Sequence, residues 1–351
     1  MDGMRLLLTL LVLGFAGLVS GGDPWTSLRP PLQIQGLAQG LPNSTVYALR
    51  LDRSGRLWVG TQDGVARYDG RSWIRVPLPD SATTNFVRAL AESPDGSLWF
   101  GTETDGLWRL KDGLWTHHSR KDDLPSDRVN SLHVHREGAG WILAVGTGGG
   151  GVATFRDGRW HREDPTTPEG QAWVWKFSHL PSTPTRGGRL VAATKKGFLV
   201  LQEGRWRPFT ELPGLENEDV NDVVAVPEPG GTRLWVSAWN LGLLAWDGRR
   251  WEKHAPENGF PSRFPVTLAT TLGPGGKPVL WAATYDRGLI WREDGAWRAL
   301  DETRGLPSNG VYALLNGGGG EPGLWVGLRG GGLVALGAGG WWSLDRQNGL
   351  P

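Results

Sequence analysis

From Val46 to Val76 the apolar positions fall into four short runs, Val46–Leu51, Leu57–Thr61, Val65–Tyr68 and Trp73–Val76, with polar or glycine-bearing stretches between them. Short runs rich in Val, Leu, Trp and Tyr, bounded by turn formers, predict four antiparallel strands. The pattern then returns. Aligned on the Trp that closes each copy, it recurs at Trp73, Trp115, Trp160, Trp206, Trp251, Trp297 and Trp342, in steps of 42, 45, 46, 45, 46 and 45 residues. A period of this length with four strands per copy predicts propeller blades. Seven copies predict an all-β, seven-bladed β-propeller of four-stranded antiparallel blades.

Details of the repeat agree. Between the third and fourth runs stand Asp69-Gly70, Asp112-Gly113, Asp157-Gly158, Asp247-Gly248 and Asp294-Gly295, with Glu203-Gly204 and Gly339-Gly340 as weaker versions. A tight hairpin calls for positive φ at its central residues, which these pairs supply. A small residue recurs in the second run as Gly60, Gly101, Gly146, Ala193, Ser237, Ala283 and Gly327, where a wedge-shaped blade must approach its neighbour. The 21 Trp residues fill the wider part of the wedge and are structural first. A blade cannot hide both faces alone, so the unit repeats until a ring closes. Blade seven supplies its own later strands at Leu324–Leu328, Gly332–Leu336 and Trp341–Leu344, and Leu32 to Gln35 is a candidate additional outer strand for it.

Composition narrows the function classes. Glycine takes 54 of 351 residues, about twice the usual share, yet alternating apolar positions run between the glycines, so the chain folds. Lys+Arg 37 against Asp+Glu 36 leaves a formal net charge of +1, which gives no field for nucleic acid or an anionic membrane. An apolar run from Leu6 to Val19 follows Arg5 and ends in Ser20, Gly21 and Gly22, which reads as a secretory signal peptide. The run is shorter than the ~20 residues that span a bilayer. With no cysteine in the chain, disulfides and thiolate metal sites are excluded. The expected organisation is a signal peptide at 1–22, an extension with a candidate closing strand at 23–39, and a propeller at 40–351. Its blades fall at 40–80, 81–124, 125–168, 169–216, 217–261, 262–307 and 308–351.

The stretch GLPNSTVYALRLDRSGRLWVGTQDGVARYDG resembles the two-component regulator propeller repeat, with its initial Gly-Leu-Pro, its Asp-x-x-Gly-x-Leu-Trp-Val-Gly-Thr and its Tyr-Asp-Gly. Gly305-Leu306-Pro307-Ser308-Asn309 and Leu124-Pro125-Ser126-Asp127 carry the same start. The resemblance is specific in blades one, two, six and seven. Blades three to five depart from it, with Ala144 and Val191 in place of the Trp and Asp219-Val220 lacking the lead. The resemblance implies the periplasmic sensing region of a bacterial two-component receptor, usually a hybrid histidine kinase. In that family a further sandwich domain, a membrane helix and a cytoplasmic output follow. The chain stops on Asn348-Gly349-Leu350-Pro351, words that open another repeat, so the expectation is an N-terminal fragment or a lost output.

Chemistry is expected on the rim where the turns between second and third strands converge with the blade-to-blade connections. On the first strand the residue after the recurring Val varies as Tyr47, Arg88, Asn130, Trp175, Asn221, Thr267 and Tyr312. The turns add Asp63, Glu103, Lys195, Trp239, Asn240, Tyr285, Asp286, Arg287 and Arg329. A position that is structurally repeated and chemically irregular, with aromatic and hydrogen-bonding groups, suits a polar small molecule or an oligosaccharide. A second propeller or a receptor subunit is the expected macromolecular partner, and a membrane is reached only through a downstream segment. A protein-binding scaffold without a small ligand is the alternative. A carbohydrate-cleaving enzyme, with Glu103 and Asp286 as its acid pair, stands behind both. No cofactor, metal or catalytic residue is assigned. His133 and His135 share one strand face at metal-pair spacing, but no third ligand is evident. Gly146–Gly151 lacks the Lys-Ser/Thr that a phosphate loop needs.

Overall fold

The computed structural model describes residues 33–337 apart from 138–139, 163–172, 182–187, 274–275, 294 and 318–322. They form seven four-stranded antiparallel sheets. In the first, Val46–Leu51, Leu57–Thr61, Gly64–Tyr68 and Trp73–Val76 follow one another from the axis outward. The inner strands of the other six are Val87–Glu92, Val129–Glu137, Val174–Leu180, Val220–Glu228, Pro265–Leu272 and Val311–Asn316.

Closure comes from the N-terminal side. Gln33–Gln35 pairs antiparallel with Leu333–Leu336, Ile34 opposite Val334, and takes the outermost place of blade seven. It is the fourth strand of that sheet, where the sequence pattern made it an addition to a complete one. The turn at Gly339-Gly340 and the strand expected at Trp341–Leu344 lie outside the described residues, as does the expected signal peptide. Pairing strands from the two ends of the chain ties blade seven to blade one and leaves no gap in the ring. Gly332 N–H donates to the Ser44 carbonyl at 2.7 Å across the same junction.

The apolar interior is divided among the seams between blades. The first Val of an inner strand inserts against the small residue of the preceding blade's second strand. A Cβ on Gly101 would lie 2.5 Å from Val129 Cγ1, and one on Gly327 would lie 2.6 Å from Val46 Cγ1. Glycine is required there because side chain meets side chain at the narrow end of two wedges. Clusters accordingly cross the seams, as where Leu41, Val46 and Val59 of blade one meet Trp325 and Leu333 of blade seven.

The motif residues have local causes. Asp52 Oδ1 accepts from the Ser54 and Arg56 N–H groups, while its Oδ2 accepts from Arg56 Nε and from the buried Trp58 Nε1 at 2.9 Å. One carboxylate therefore caps the turn and satisfies the indole of the next strand. Ser93, Glu228 and Thr271 take that indole bond for Trp99, Trp235 and Trp281. In Gly-Leu-Pro, and in the Gly259-Phe260-Pro261 that replaces it once, the Gly ends a short 3-10 turn in the left-handed region, at φ 102° for Gly40, 98° for Gly259 and 101° for Gly305. The following Leu41, Phe260 and Leu306 are buried. Asp123 holds the corresponding place at φ 71°, a conformation Asp tolerates.

The outer hairpins are of two kinds. Asp112-Gly113, Asp157-Gly158 and Glu203-Gly204 have positive φ at both residues, so the Glu pair is as tight as the Asp pairs. At Asp69-Gly70 and Asp247-Gly248 only the glycine does. There the Asp carboxylate accepts from the N–H groups two and three residues on, and the ladder stops at Tyr68–Trp73 and Trp246–Trp251, leaving four residues in the loop against two at Asp112-Gly113. The expectation of positive φ thus fails at Asp69 and Asp247 because a side-chain cap does the turning. Asp294 lies outside the described residues.

Candidate functional site

Every inner strand carries a β-bulge just after its first residue, seen as a register break at Val46/Ala48, Val87/Ala89, Val129/Ser131, Val174/Lys176, Val220/Asp222, Pro265/Thr267 and Val311/Ala313. A bulge leaves its extra residue outside the ladder and re-aims its side chain. The seven residues so released are Tyr47, Arg88, Asn130, Trp175, Asn221, Val266 and Tyr312, and all seven line one axial cavity of about 690 Å³. Blade six corrects the sequence reading. Pro265 occupies the place of the recurring Val, so Val266 holds the bulge and Thr267 sits one step further along.

A second ring lies at the rim above the bulges. Gln62, Glu103, Gly148, Lys195, Trp239, Tyr285 and Arg329, each just past the end of a second strand, donate their N–H to the residue before the inner-strand Val or Pro265. The acceptors are Thr45, Phe86, Arg128, Trp173, Asp219, Phe264 and Gly310, at 2.8–3.1 Å. These bonds hold the turn over the strand below. Among the described residues, the bulge ring and the two rim rings give the mouth its chemistry.

Aromatic side chains form an arc around one side of that mouth. Ring centroids run Phe86 to Tyr47 at 4.5 Å, Tyr47 to Tyr312 at 4.9 Å, Tyr312 to Tyr285 at 6.3 Å, Tyr285 to Trp239 at 5.8 Å and Trp239 to Phe264 at 5.0 Å. Three of the chain's four tyrosines stand in this arc, which marks it as more than seam filling. Burial pushes the hydroxyls of Tyr47 and Tyr312 above their ordinary range, so they stay protonated donors.

Polar groups occupy the rest. Arg88 and Arg128 share Glu103 at 2.6 and 3.0 Å. Arg329 donates to the Tyr285 hydroxyl at 2.9 Å and stands over its ring. Asn130 and Asn221 donate across the seam to the carbonyls of Val174 and Pro265. Trp175 Nε1 donates to Asp219 at 2.7 Å. Burial raises the Asp219 carboxyl above its ordinary value even against that bond and the charge of Lys195.

Below the bulges lies a charge network. Asp222, fully buried, accepts from Lys176 Nζ at 2.5 Å, from Ser178 Oγ at 2.7 Å, from Thr267 Oγ1 at 2.9 Å and from the Leu268 N–H at 2.8 Å. These groups come from blades four, five and six.

The structure brings Tyr47, Arg88, Asn130, Trp175, Lys195, Asn221, Trp239, Tyr285 and Tyr312 into the cavity wall, with Glu103 and Arg329 attached to it. It places Asp63, Asn240, Asp286 and Arg287 elsewhere. Asp63 accepts from Asn85 at 3.3 Å and Asp286 accepts from Ser262 at 2.6 Å, both at seams. Asn240 is a left-handed turn residue at φ 66°, and Arg287 is exposed. Glu103 and Asp286 are thus committed to different partners. Sequence reading missed Arg128, Asp219, Lys176 and Asp222. The signal for the last two is a charged residue where blades one, two and seven have Ala48, Ala89 and Ala313.

At the level of His133 and His135, His179 from the next blade lies 6.4 Å from His135 between ring centroids. Burial, then the nearby His135 and His179, lowers His133 to about 4. Among the described residues no group of three His, Cys, Asp or Glu is placed to hold a metal ion.

Fold and site together define a closed seven-bladed propeller with a ligand-sized cavity at the mouth of its channel. Residues 40–63 and 81–104 match the two component regulator propeller family, so blades one and two carry that family's repeats. Among solved structures, the extracellular domain of a putative hybrid two component system from B. thetaiotaomicron is similar at 17% identity and TM-score 0.64. The match covers 87% of this chain and 41% of that one, so the chain spans about two-fifths of that domain. PorZ, a surface component of the type-IX secretion system of Porphyromonas gingivalis, is similar at 15% identity and TM-score 0.60, over 85% of this chain and 47% of that one. Virginiamycin B lyase from Staphylococcus aureus is similar at 13% and 0.62, over 87% and 98%. At these identities the likeness is one of fold. A search of curated proteins finds no match. Among the described residues no helix is long and apolar enough to cross a membrane.

Proposed function

We propose that this propeller is an extracytoplasmic sensing module of a bacterial two-component receptor and that it takes a polar, glycan-like ligand at the mouth of its channel, making and breaking no bond. The observation that carries this is the bulge ring. Seven blades repeat one backbone device, and it presents five kinds of side chain to a single shared cavity. Packing alone gives no reason to vary that position, as the residue beside it shows by being Val in six of the seven blades. The receptor role is supported by the regulator-propeller repeats and by the extracellular sensor domains that share the fold. Export is supported by the Leu6 to Val19 run and the absence of cysteine.

The carboxylates around the cavity support recognition over catalysis. Glu103 is held by two arginines, Asp222 by Lys176 and Asp219 by the Trp175 indole. A catalytic pair needs one acid and one base poised on a substrate bond. For signalling, the ligand must favour one docking state of the ring over another, since equal affinity for both shifts nothing. Calorimetric titration of the exported chain with a broad panel of neutral and charged oligosaccharides tests the reading. Binding that Tyr312→Ala and Trp175→Ala each weaken supports it, and silence across the panel refutes it.

A further inference from the structure

We infer that the ligand is an oligosaccharide bearing acidic groups on separate sugar units. This rests on the reading that the mouth binds a ligand, and deepens it. The first observation is charge. The chain as a whole is balanced at a formal +1, but its mouth is not. Arg88 and Arg128 divide one carboxylate, Glu103, between them. Arg329 pairs with no acid among the described residues and is held only by the Tyr285 hydroxyl and ring. Lys195 faces Asp219, a half-buried carboxylate that is also tied to the Trp175 indole. The cation of Lys176 is cancelled below by Asp222, and that of Arg287 by Asp286. Asp63 faces Asn85 at the seam between blades one and two. What remains is an excess of cation at the rim, in a low-dielectric concavity where it is felt most.

The second observation is where those cations stand. They come from blades two, three, four and seven, on different walls of the channel. Lys195 on blade four and Arg329 on blade seven stand three blades apart in a ring of seven, a placement that suits an oligomer with an acid on each unit better than one compact anion. The third is the aromatic arc from Phe86 through Tyr47, Tyr312 and Tyr285 to Trp239. It offers a curved series of faces for successive rings, with protonated hydroxyls of Tyr47 and Tyr312 among them. Aromatic rings interleaved with cations, Arg88 beside Tyr47 and Phe86 and Arg329 beside Tyr285, fit a chain of acidic sugars better than a nucleotide, whose charge is concentrated on its phosphates.

The test titrates the full chain at low and moderate salt with four kinds of probe: tetragalacturonate, tetramannuronate and a chondroitin sulfate tetrasaccharide as acidic oligomers, the methyl ester of tetragalacturonate, neutral oligosaccharides of the same length, and a uridine dinucleotide. The expected result is that at least one acidic oligomer binds, weakens as salt rises, and binds about 10-fold or more tightly than every uncharged probe, as loss of charge-assisted hydrogen bonds requires. Arg329→Gln should cost the acidic oligomer about 10-fold and any neutral sugar markedly less. Binding of a neutral oligosaccharide or of the dinucleotide as tight as that of the acids, or indifference of acid binding to Arg329→Gln with circular dichroism unchanged, overturns the acidic assignment and leaves the mouth a binding site. No binding by any probe or by the wider sugar panel removes the site itself.

Discussion

Val46 and Tyr47 are neighbours in the chain and belong to different parts of the molecule. Val46 is buried in the seam against Gly327, and its counterparts are Val in five of the other blades and Pro265 in one. Tyr47 is released by a bulge into the channel, and its counterparts are Arg, Asn, Trp, Asn, Val and Tyr. Seam and mouth are built from adjacent residues of one strand under opposite demands. In the seam each side chain must fit another side chain, so one solution is repeated. At the mouth each side chain faces open volume, so the backbone can be repeated while the chemistry changes. Regularity in this protein therefore marks scaffold, and irregularity at a regular place marks the site.

The contrast predicts unequal responses to substitution. The largest belongs to the seam: Gly101→Val sets a side chain against Val129, and urea denaturation should show a loss of about 3 kcal/mol. A tolerated substitution there would break the comparison. Next is acid. His118 sits in the seam of blades two and three beside Trp99, Phe155 and Trp160, and burial lowers it to about 4. A base whose folded value is depressed contributes stability that is complete above its unfolded value of 6.5 and is lost as pH falls toward 4, here by at most ~3 kcal/mol. His133 and His254, both lowered by burial, lose stability in the same direction as pH falls, so His118→Leu should remove only part of the loss, read from melts between pH 7 and 4.

Gly305→Ala is smaller. A Cβ there meets nothing within 4 Å, so only the left-handed backbone resists it, at about 1 kcal/mol. The mouth should respond least in stability. Asp219 has a raised folded value, so the stability it contributes is full below about 3.8 and declines as pH rises through that raised value. Asp219→Asn, which keeps an acceptor for Trp175, should therefore be slightly more stable than the parent near pH 7 and indistinguishable from it below pH 3.8. A large destabilisation would mean that the mouth is scaffold after all.

The sequence by itself determined the seven-fold repeat, the four strands of each blade, the small seam position and most of the bulge ring, because each depends on a local period that side-chain chemistry imposes. It also exposed the Tyr, Trp and Arg residues that the turns carry. Tertiary structure alone decided the rest. Which strand closes blade seven is a pairing between ends some 300 residues apart, and no local pattern distinguishes Gln33–Gln35 from Trp341–Leu344 as the partner of Leu333–Leu336. The bulge shifts blade six by one residue because Pro265 fills the seam where Val266 was the expected plug. Whether a rim residue faces the axis or a seam, as Lys195 does the one and Asp63 the other, depends on what the neighbouring blade offers it. The Lys176–Asp222–Thr267 network spans three blades and exists only once the ring has brought them together. Local periodicity fixes what each blade is, and the meeting of blades fixes what the shared cavity can hold.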